Sequence, residues 1–244
     1  MAEKGMSDRP AATGTDAEFA RRRDAARDRL DALFGAKGGD RDDRASWFEA
    51  VYETAGDDPA AVPWADLAPK PALVDWLSDN PGEGARALDV GCGLGDNAEA
   101  LAEAGCDTTA FDLSEKAVEW ARQRFPGSPV RYTAADLFSP PPADWIGGFD
   151  LVHECYTVQA LHGDLREASY QALADLVRPG GRLLVITRSR ADGAETSGPP
   201  WPLSPSELAE FERAGLRLID SSAYDVQKGD RIIPHIRAVY VKPG

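Results

Sequence analysis

Three glycines stand at alternate positions in one short stretch of the sequence, with an acidic residue on either side of them. Gly91, Gly93 and Gly95 follow Asp89, and Asp112 comes 21 residues after the first glycine. Glycine lets the backbone approach a ligand closely, because no side chain intervenes. A carboxylate at the end of the following strand can accept hydrogen bonds from both hydroxyls of a ribose. The spacing therefore predicts a binding site for a cofactor that contains a nucleoside.

The spacing of the glycines also separates two classes of nucleoside cofactor. A dinucleotide-binding turn has the pattern G-x-G-x-x-G, with the pyrophosphate at the N-terminus of the following helix. Counted from Gly91 and Gly93, the third glycine of that pattern would stand where the sequence has Asp96. A carboxylate at that helix terminus would repel a pyrophosphate. A nicotinamide oxidoreductase is therefore the less favoured alternative, and nucleotide affinity in a titration would reveal it.

A second group of polar residues follows another apolar segment, residues 149–153. A carboxylate at the end of a buried strand needs a partner, which makes Glu154 and Tyr156 the better candidates for chemistry. His153 fits a base and a satisfied histidine at a strand end equally well. A second reactant is expected to bind at this turn, on the carboxyl edge of the sheet. Its candidate residues are His153, Glu154, Tyr156, Thr157 and Gln159.

A parallel sheet would bring these residues to one edge, and from residue 86 onward apolar strand patterns alternate with helical ones. The expected strands are residues 86–90, 108–112, 130–135, 149–153 and 182–187, and residues 216–223 and 232–241 close the chain. The predicted fold class is therefore α/β, a Rossmann-like, doubly wound sheet of seven strands.

A helical extension is predicted in front of this sheet. Residues 1–14 are polar and expected to be disordered. Residues 15–80 are expected to form helices, beginning at a capping box of Thr15 and Glu18, and residues 81–244 to form the sheet domain. Aromatic side chains at helical spacing, among them Trp47 and Tyr52, either pad the edge of the sheet or lie over the ligand pocket as a lid.

The overall charge limits the partners that can be expected. The chain has 244 residues, of which 27 are basic and 41 acidic, for a formal net charge of −14. Nucleic acids and anionic membranes require a clustered basic surface, so we expect neither as a partner. Three cysteines without a C-x-x-C pair indicate reduced thiols and a cytoplasmic protein. We expect a monomer or homodimer that binds a small molecule and holds no metal.

The segment Asp89-x-Gly91-x-Gly93-x-Gly95 resembles the first motif of the class I methyltransferases, which use S-adenosylmethionine. That cofactor has no phosphate, and its amino group and sulfonium tolerate nearby carboxylates. The resemblance covers most of residues 45–243 and implies a reversed last strand, and S-adenosylhomocysteine as the product. It places Asp136 on the adenine amino group. The cofactor-binding residues that it implies are Asp89, Gly91, Gly93, Gly95, Asp112, Leu113, Asp136, Leu137 and Glu154.

Within that superfamily the sequence is similar to the thiopurine, thiol and halide methyltransferases. Residues 198–203, Gly-Pro-Pro-Trp-Pro-Leu, resemble that branch's loop beside the substrate pocket, whereas Glu154-Cys155 stands where the branch tends to have Asp-Arg. The resemblance implies methyl transfer to a thiol or similar soft nucleophile. An O- or N-methyltransferase of a specialised metabolite and a non-catalytic cofactor-binding protein are the alternatives. The expected catalytic residues are Glu154, Tyr156 and His153, and the expected acceptor-binding residues are Trp47, Tyr52, Thr157, Gln159 and Trp201.

Overall fold

The polar strand ends belong to a single seven-stranded sheet. The computed structural model describes residues 17–26, 44–196, 198–228 and 230–244. The order of strands across the sheet is β3-β2-β1-β4-β5-β7-β6. Their bounds are β1 (Arg86–Val90), β2 (Asp107–Asp112), β3 (Arg131–Ala134), β4 (Phe149–Cys155), β5 (Val177–Arg188), β6 (Arg217–Lys228) and β7 (Arg231–Val241).

The direction of the strands creates a crevice at one edge of the sheet. Strands β1 to β5 pair in parallel, whereas β7 is antiparallel to both β5 and β6. This arrangement confirms the predicted α/β class and the reversed last strand. The strand order changes direction between β1 and β4, and at such a switch point an open parallel sheet binds its ligands beyond the carboxyl ends of the strands.

Helices cover both faces of the sheet. Along β5, Leu183 and Val185 belong to one hydrophobic core and Leu184 and Ile186 to another, because successive side chains of a strand point to opposite faces. The helices are α1 (residues 17–26), α2 (Arg44–Ala55), α3 (Pro71–Asp79), α4 (Asp96–Glu103), α5 (Glu115–Arg124), α6 (Gly163–Leu176), α7 (Pro205–Leu208) and α8 (Glu210–Arg213). None of them, within the described parts of the chain, is both long and apolar enough to cross a membrane.

The closing hairpin is longer than the sequence predicted. Strand β6 continues to Lys228 instead of ending near residue 223, and β7 already begins at Arg231. The added residues of β6 are polar or exposed, so their pattern did not stand out from a loop. The extra length matters for function, because it pairs Tyr224 with His235 in register and brings both near the carboxyl end of β4.

The segment before the sheet docks onto the carboxyl end of β2. Glu49 on α2 accepts a hydrogen bond of 2.5 Å from the hydroxyl of Ser114, the residue that caps α5. Nε1 of Trp64 donates to the hydroxyl of Tyr52 at 2.8 Å, and their rings pack edge to face. The predicted disordered tail and Thr15 of the predicted capping box lie outside the described residues. The predicted boundary after residue 80 falls between α3 and β1 and stays a prediction.

Candidate functional site

A cavity of about 400 Å³ lies at the carboxyl edge of the sheet. The turns that follow β1, β2, β3 and β4 form its floor, and aromatic side chains of the segment before the sheet cover it. Residues of β7 close one end, and two prolines of the loop after β5, Pro199 and Pro200, contribute to the wall. Segments that are distant in sequence therefore converge at the switch point of the sheet, as the sequence predicted.

The three glycines of the turn have different reasons to be glycine, although all three have positive φ angles. A Cβ atom at Gly91 would lie 2.5 Å from Oγ1 of Thr157, and one at Gly95 would lie 2.6 Å from the hydroxyl of Tyr132. A Cβ atom at Gly93 would meet nothing closer than the Tyr52 hydroxyl at 3.4 Å. Gly91 and Gly95 are thus required by protein packing, whereas Gly93 keeps open the space beside the cavity.

Asp112 ends β2 with its carboxylate fixed beside Gly93. Oδ2 accepts a hydrogen bond from the amide of Gly93 at 2.8 Å, and Oδ1 accepts one from the amide of Ser114 at 3.0 Å. Burial raises the pKa of Asp112, and the two amides oppose that shift. Each carboxylate oxygen can accept a further hydrogen bond, so the pair of oxygens can still receive two hydroxyl groups.

Asp136 lies on the cavity wall after β3 and is held there by helix α2. Nη2 of Arg44 lies 2.5 Å from Oδ1 of Asp136, and the amide of Phe138 donates to the same oxygen at 3.1 Å. The guanidinium also lies over the ring of Phe138, 4.8 Å from its centroid. Asp136 and its neighbour Leu137 both line the cavity, where they could face an adenine. Their predicted contacts with the base stay predictions.

Asp96, which stands where a dinucleotide site has glycine, has a cationic partner. Arg124 of α5 makes two hydrogen bonds to its carboxylate, at 2.7 and 2.8 Å, and a third to the carbonyl of Leu94 at 2.6 Å. The charge of Asp96 is therefore balanced inside the protein. A pyrophosphate would therefore be excluded mainly because the Asp96–Arg124 pair occupies the start of the helix. Repulsion by the Asp96 charge contributes less.

Glu154 has a structural task that the sequence did not reveal. The residue is fully buried, and Oε2 accepts hydrogen bonds from the amides of Thr157 at 3.0 Å and Val158 at 3.2 Å. Burial raises its pKa to about 7 despite these two amides. Glu154 does not line the cavity, so the expected role of orienting an acceptor has to be corrected. The expected role toward the cofactor is corrected for the same reason, although Oε1 has no hydrogen-bond partner among the described residues.

The raised pKa of Glu154 makes stability depend on pH. Between the ordinary value of 4.5 and the value of about 7 in the folded chain, the folded protein binds more protons than the unfolded one, so the contribution of Glu154 to stability falls as pH rises. Glu154→Gln keeps an oxygen for the two amides and removes the titration. Relative to the wild type, we expect the variant to gain on the order of 3 kcal/mol in unfolding free energy between pH 4.5 and 8.

Urea unfolding of both proteins at several pH values measures this difference, since every other titrating group is shared. Glu154→Ala is the control that removes the titration and loses the two hydrogen bonds as well, so it should be less stable than Glu154→Gln at every pH by about 1–3 kcal/mol. If the unfolding free energies of the Gln variant and the wild type differed by the same amount at every pH from 5 to 8, the raised pKa of Glu154 would be contradicted.

His153, the expected base, lies beneath the glycine turn and does not reach the cavity. Its Nδ1 is 2.7 Å from Oδ1 of Asp89, and the two residues are register partners on β4 and β1. Their exposed fractions are 0% and 1%, and neither lines the cavity. Because no substrate in the cavity could touch the ring, His153 is not the base. The pair instead joins the two central strands below the turn, so the expected contact of Asp89 with the cofactor is also corrected.

The polar wall of the cavity is made by Tyr156 together with residues the sequence did not single out. The Tyr156 hydroxyl lies 2.8 Å from Nε2 of His235, and the ammonium of Lys70 lies 4.4 Å from the centroid of the Tyr156 ring. Lys70 also forms an ion pair with Asp66. Tyr156, Lys70 and His235 all line the cavity, as does Arg188 at the end of β5.

The predicted acceptor-binding residues divide into two groups. Trp47, Tyr52, Thr157 and Gln159 line the cavity, and Phe48 and Trp64 complete the aromatic cover. Gln159 also ties the wall together, because its side-chain oxygen accepts from the amide of Arg188 at 2.8 Å. Trp201 does not line the cavity. Its ring packs against His162, and its amide donates to the carbonyl of Gln159 at 2.7 Å, which leaves the preceding prolines to face the cavity.

The glycine end of the cavity suits a nucleoside without a phosphate. Gly93 leaves room beside a carboxylate that can receive hydroxyl groups, and Leu113 and Leu137 supply apolar surface for a flat ring. The helix terminus where a phosphate would bind carries Asp96. Together these groups fit an adenosyl group linked to an uncharged or cationic chain. Among the described residues, no cluster of His, Cys, Asp and Glu could hold a metal ion.

Known proteins with similar sequences are methyltransferases. Residues 87–181 match a family model described as a methyltransferase domain. A ubiquinone biosynthesis O-methyltransferase of Xylella fastidiosa is 35% identical over 178 residues, which cover 62% of this chain and 69% of that protein. A probable thiol methyltransferase 2 of Arabidopsis thaliana is 29% identical over 151 residues, covering 60% of this chain and 65% of that protein.

Solved structures share the fold. The N-methyltransferase NodS of Bradyrhizobium japonicum, solved in complex with S-adenosyl-L-homocysteine, superposes with a TM-score of 0.62 at 20% identity, over 81% of this chain and 98% of that one. The chain spans about half the length of two further curated relatives, 51% and 50%, both named as ubiquinone biosynthesis O-methyltransferases.

Proposed function

Because the chain belongs to the class I S-adenosylmethionine-dependent methyltransferases, we propose that it transfers a methyl group from S-adenosylmethionine to a small molecule bound in the cavity. The observation that carries the proposal is the continuity of this cavity. One wall, with Gly93 and Asp112, suits an adenosyl group, and the opposite wall, with Tyr156 and His235, is polar and aromatic. A cofactor and an acceptor could therefore share one enclosed space.

The residues of the first wall would hold the cofactor. Asp112 would receive the ribose hydroxyls, Gly93 would let the backbone approach, and Asp136 would accept from the adenine amino group while Leu137 packs against the ring. When bound, S-adenosylmethionine supplies an electrophilic methyl group on a sulfonium. The protein contributes position, which can account for about 7–11 kcal/mol of the barrier in well-oriented reactions.

The residues of the second wall would hold a thiol or similar soft nucleophile. The rings of Trp47, Phe48 and Trp64 lie within 4.8–6.0 Å of one another and cover the cavity. Excluding water strengthens the attraction between an anionic nucleophile and the ammonium of Lys70. The similarity to a protein named as a thiol methyltransferase supports this acceptor class. A nucleophile that becomes negatively charged as it reacts would suit this wall.

A hydroxyl group is the second candidate for the acceptor. The relatives named as O-methyltransferases support it, and so does the hydrogen bond between Tyr156 and His235, since a hydroxyl has to lose its proton when it is methylated. A non-catalytic cofactor-binding protein is less favoured, because such a protein has no need of a polar wall opposite its cofactor.

Release of S-adenosylhomocysteine across a panel of acceptors tests the proposal. The panel contains thiols, iodide, thiocyanate, catechols and amines, and each reaction is compared with one that lacks the acceptor. We expect acceptor-dependent release with thiols or with hydroxyl compounds. Tight binding of S-adenosylmethionine without acceptor-dependent release from any member would identify a binding protein. Absence of binding together with affinity for a nicotinamide dinucleotide would identify an oxidoreductase.

A further inference from the structure

We infer that Tyr156 and His235 form a proton-accepting pair for the molecule that is methylated. The inference rests on the proposed function and deepens it, because it assigns the base of the reaction and thereby the class of acceptor. That class consists of thiols and hydroxyl compounds that enter the cavity in protonated form. The pair takes the place of His153, which lies beneath the turn and out of reach.

The hydrogen bonds of His235 define the direction in which a proton can move. Nδ1 lies 2.7 Å from the carbonyl oxygen of Ile233, and a carbonyl can only accept, so Nδ1 carries the proton. Nε2 of the neutral ring is then an acceptor, and it receives the proton of the Tyr156 hydroxyl 2.8 Å away. A phenol oxygen that donates its own proton can also accept one, which makes Tyr156 the group that touches the acceptor.

Burial, together with the neighbouring cations, favours the neutral form of His235. Burial lowers its pKa below the ordinary 6.5, and the cations of Arg188 and Lys70 lower it further, while Asp225 and the Ile233 carbonyl act in the opposite direction. Tyr224 stacks on the other side of the ring, with centroids 5.5 Å apart. A neutral imidazole can take up a proton when one is offered, and the Lys70 ammonium over the Tyr156 ring stabilises negative charge on the phenol oxygen.

The backbone holds Tyr156 in an uncommon conformation that aims its side chain at β7. Its φ angle is +67°, in the left-handed region that a bulky residue rarely adopts. The amide of Tyr156 donates to the carbonyl of Ile186 on β5 at 3.1 Å, and the next amide is fixed by Glu154. Residues held in such conformations tend to cluster at functional sites. Here the conformation places a phenol against a histidine 79 residues further along the chain.

The proton transfers balance without a further reactant. The acceptor atom would form its bond to the methyl carbon with the electron pair that held its proton, while the bond from that carbon to the cofactor's sulfur would break and its electron pair would leave with S-adenosylhomocysteine. The proton of the acceptor passes to the Tyr156 oxygen. The Tyr156 hydroxyl proton passes at the same time to Nε2 of His235. The resulting imidazolium returns its proton to solvent through Tyr156 after the product has left, which restores the neutral pair.

Histidine NMR tests the pair without turnover. The chain has three histidines, so ¹⁵N spectra of the wild type and of the His235→Gln and His162→Gln variants assign each ring. We expect His235 to be neutral at pH 7, with its proton on Nδ1, and to titrate below pH 6.5. In Tyr156→Phe, the Nε2 signal should shift because its donor is lost. A His235 ring that is doubly protonated at pH 7, or unaffected by Tyr156→Phe, would overturn the inference.

Kinetics with two kinds of acceptor separates a base from a structural residue. Benzyl thiol and catechol are protonated at pH 7, whereas iodide and thiocyanate need no deprotonation. We expect His235→Gln and Tyr156→Phe to lower kcat about 100-fold on the protonated acceptors, the usual scale of a lost general base, with less than about a threefold change on the anions. His162→Gln is the matched control, because its ring packs on Trp201 outside the cavity and should leave all rates unchanged.

The pH dependence of the rate gives a second way to distinguish a base from a structural residue. The wild-type rate with catechol should stay level down to pH values below 6.5, because His235 remains neutral there. In His235→Gln the rate should fall tenfold per pH unit below the pKa of the acceptor, because only ionised acceptor reacts. Equal losses on all acceptors, or unchanged pH profiles, would overturn the pair while the proposed function stands. A wild type that methylates none of the four acceptors would instead count against the proposed function, and the NMR result would still decide the pair.

Discussion

Replacing Gly93 by leucine should abolish binding of S-adenosylmethionine. The backbone at Gly93 has a φ angle of +52°, and a Cβ atom there would have no neighbour closer than 3.4 Å, so the rest of a leucine side chain would extend into the cavity beside Asp112. Occlusion of the space that the backbone leaves for a ligand is expected to weaken binding by more than about 100-fold, which corresponds to roughly 3 kcal/mol. Calorimetric titration of the variant with S-adenosylmethionine measures the loss.

The control has to separate occlusion from backbone strain. Gly127 also has a positive φ angle, +84°, and a Cβ atom there meets nothing within 4 Å, but the residue lies outside the cavity. Gly127→Leu should therefore lose stability through strain and keep its affinity for the cofactor. Gly91→Leu and Gly95→Leu are less informative, because Cβ atoms at these positions would clash with Thr157 and Tyr132. An unchanged affinity in a folded Gly93→Leu variant would show that the cofactor does not bind at this turn.

Asp112→Ala should have the second largest effect on binding. With the ribose bound as proposed, the variant would lose the acceptors of its two hydroxyls, and hydrogen bonds to a charged group contribute about 1.5–3 kcal/mol, or roughly 10- to 150-fold in affinity. It also frees the amides of Gly93 and Ser114, so part of the loss would reflect a looser turn. Asp112→Asn keeps one accepting oxygen and should fall between the alanine variant and the wild type.

Asp107 provides the matched control for this substitution. It lies at the opposite end of the same strand, is exposed, and pairs with Arg131 at 2.6 Å. Asp107→Ala removes the same chemical group without touching the cavity and should bind S-adenosylmethionine as the wild type does. If Asp107→Ala and Asp112→Ala weakened binding equally, the loss of affinity would reflect a disturbed strand β2 and not the loss of hydrogen bonds to the ribose.

The fold and the cofactor end of the site could be predicted because their signals are local. Strand β1, the glycine turn and the start of α4 form one continuous segment, so their pattern can be recognised in the sequence. The carboxylate of Asp112 could also be placed, because parallel strands end at the same edge. The sequence could not show that Gly91 and Gly95 are needed for packing, since Thr157 and Tyr132 are far away along the chain.

The acceptor end could be predicted only in part, because it depends on contacts between distant segments. The polar turn after β4 indicated a site, yet Glu154 turns back to the amides of its own turn and His153 pairs with Asp89. His235 reaches the site because β7 is antiparallel to β5 and pairs with Arg188 in one particular register. That register is set by the whole hairpin of β6 and β7. The sequence around His235 and Pro234 gives no indication of this register.

Transfer of a deuterated methyl group distinguishes methyl transfer in this cavity from binding of the cofactor alone. S-adenosylmethionine with a trideuterated methyl group is incubated with a thiol or catechol acceptor and either wild-type protein or Gly93→Leu, and mass spectrometry follows both products. We expect the wild type to yield trideuteromethylated acceptor and S-adenosylhomocysteine in equal amounts, and Gly93→Leu to yield neither. Equal yields from both proteins, or a wild type that binds the cofactor and labels no acceptor, would contradict methyl transfer in this cavity.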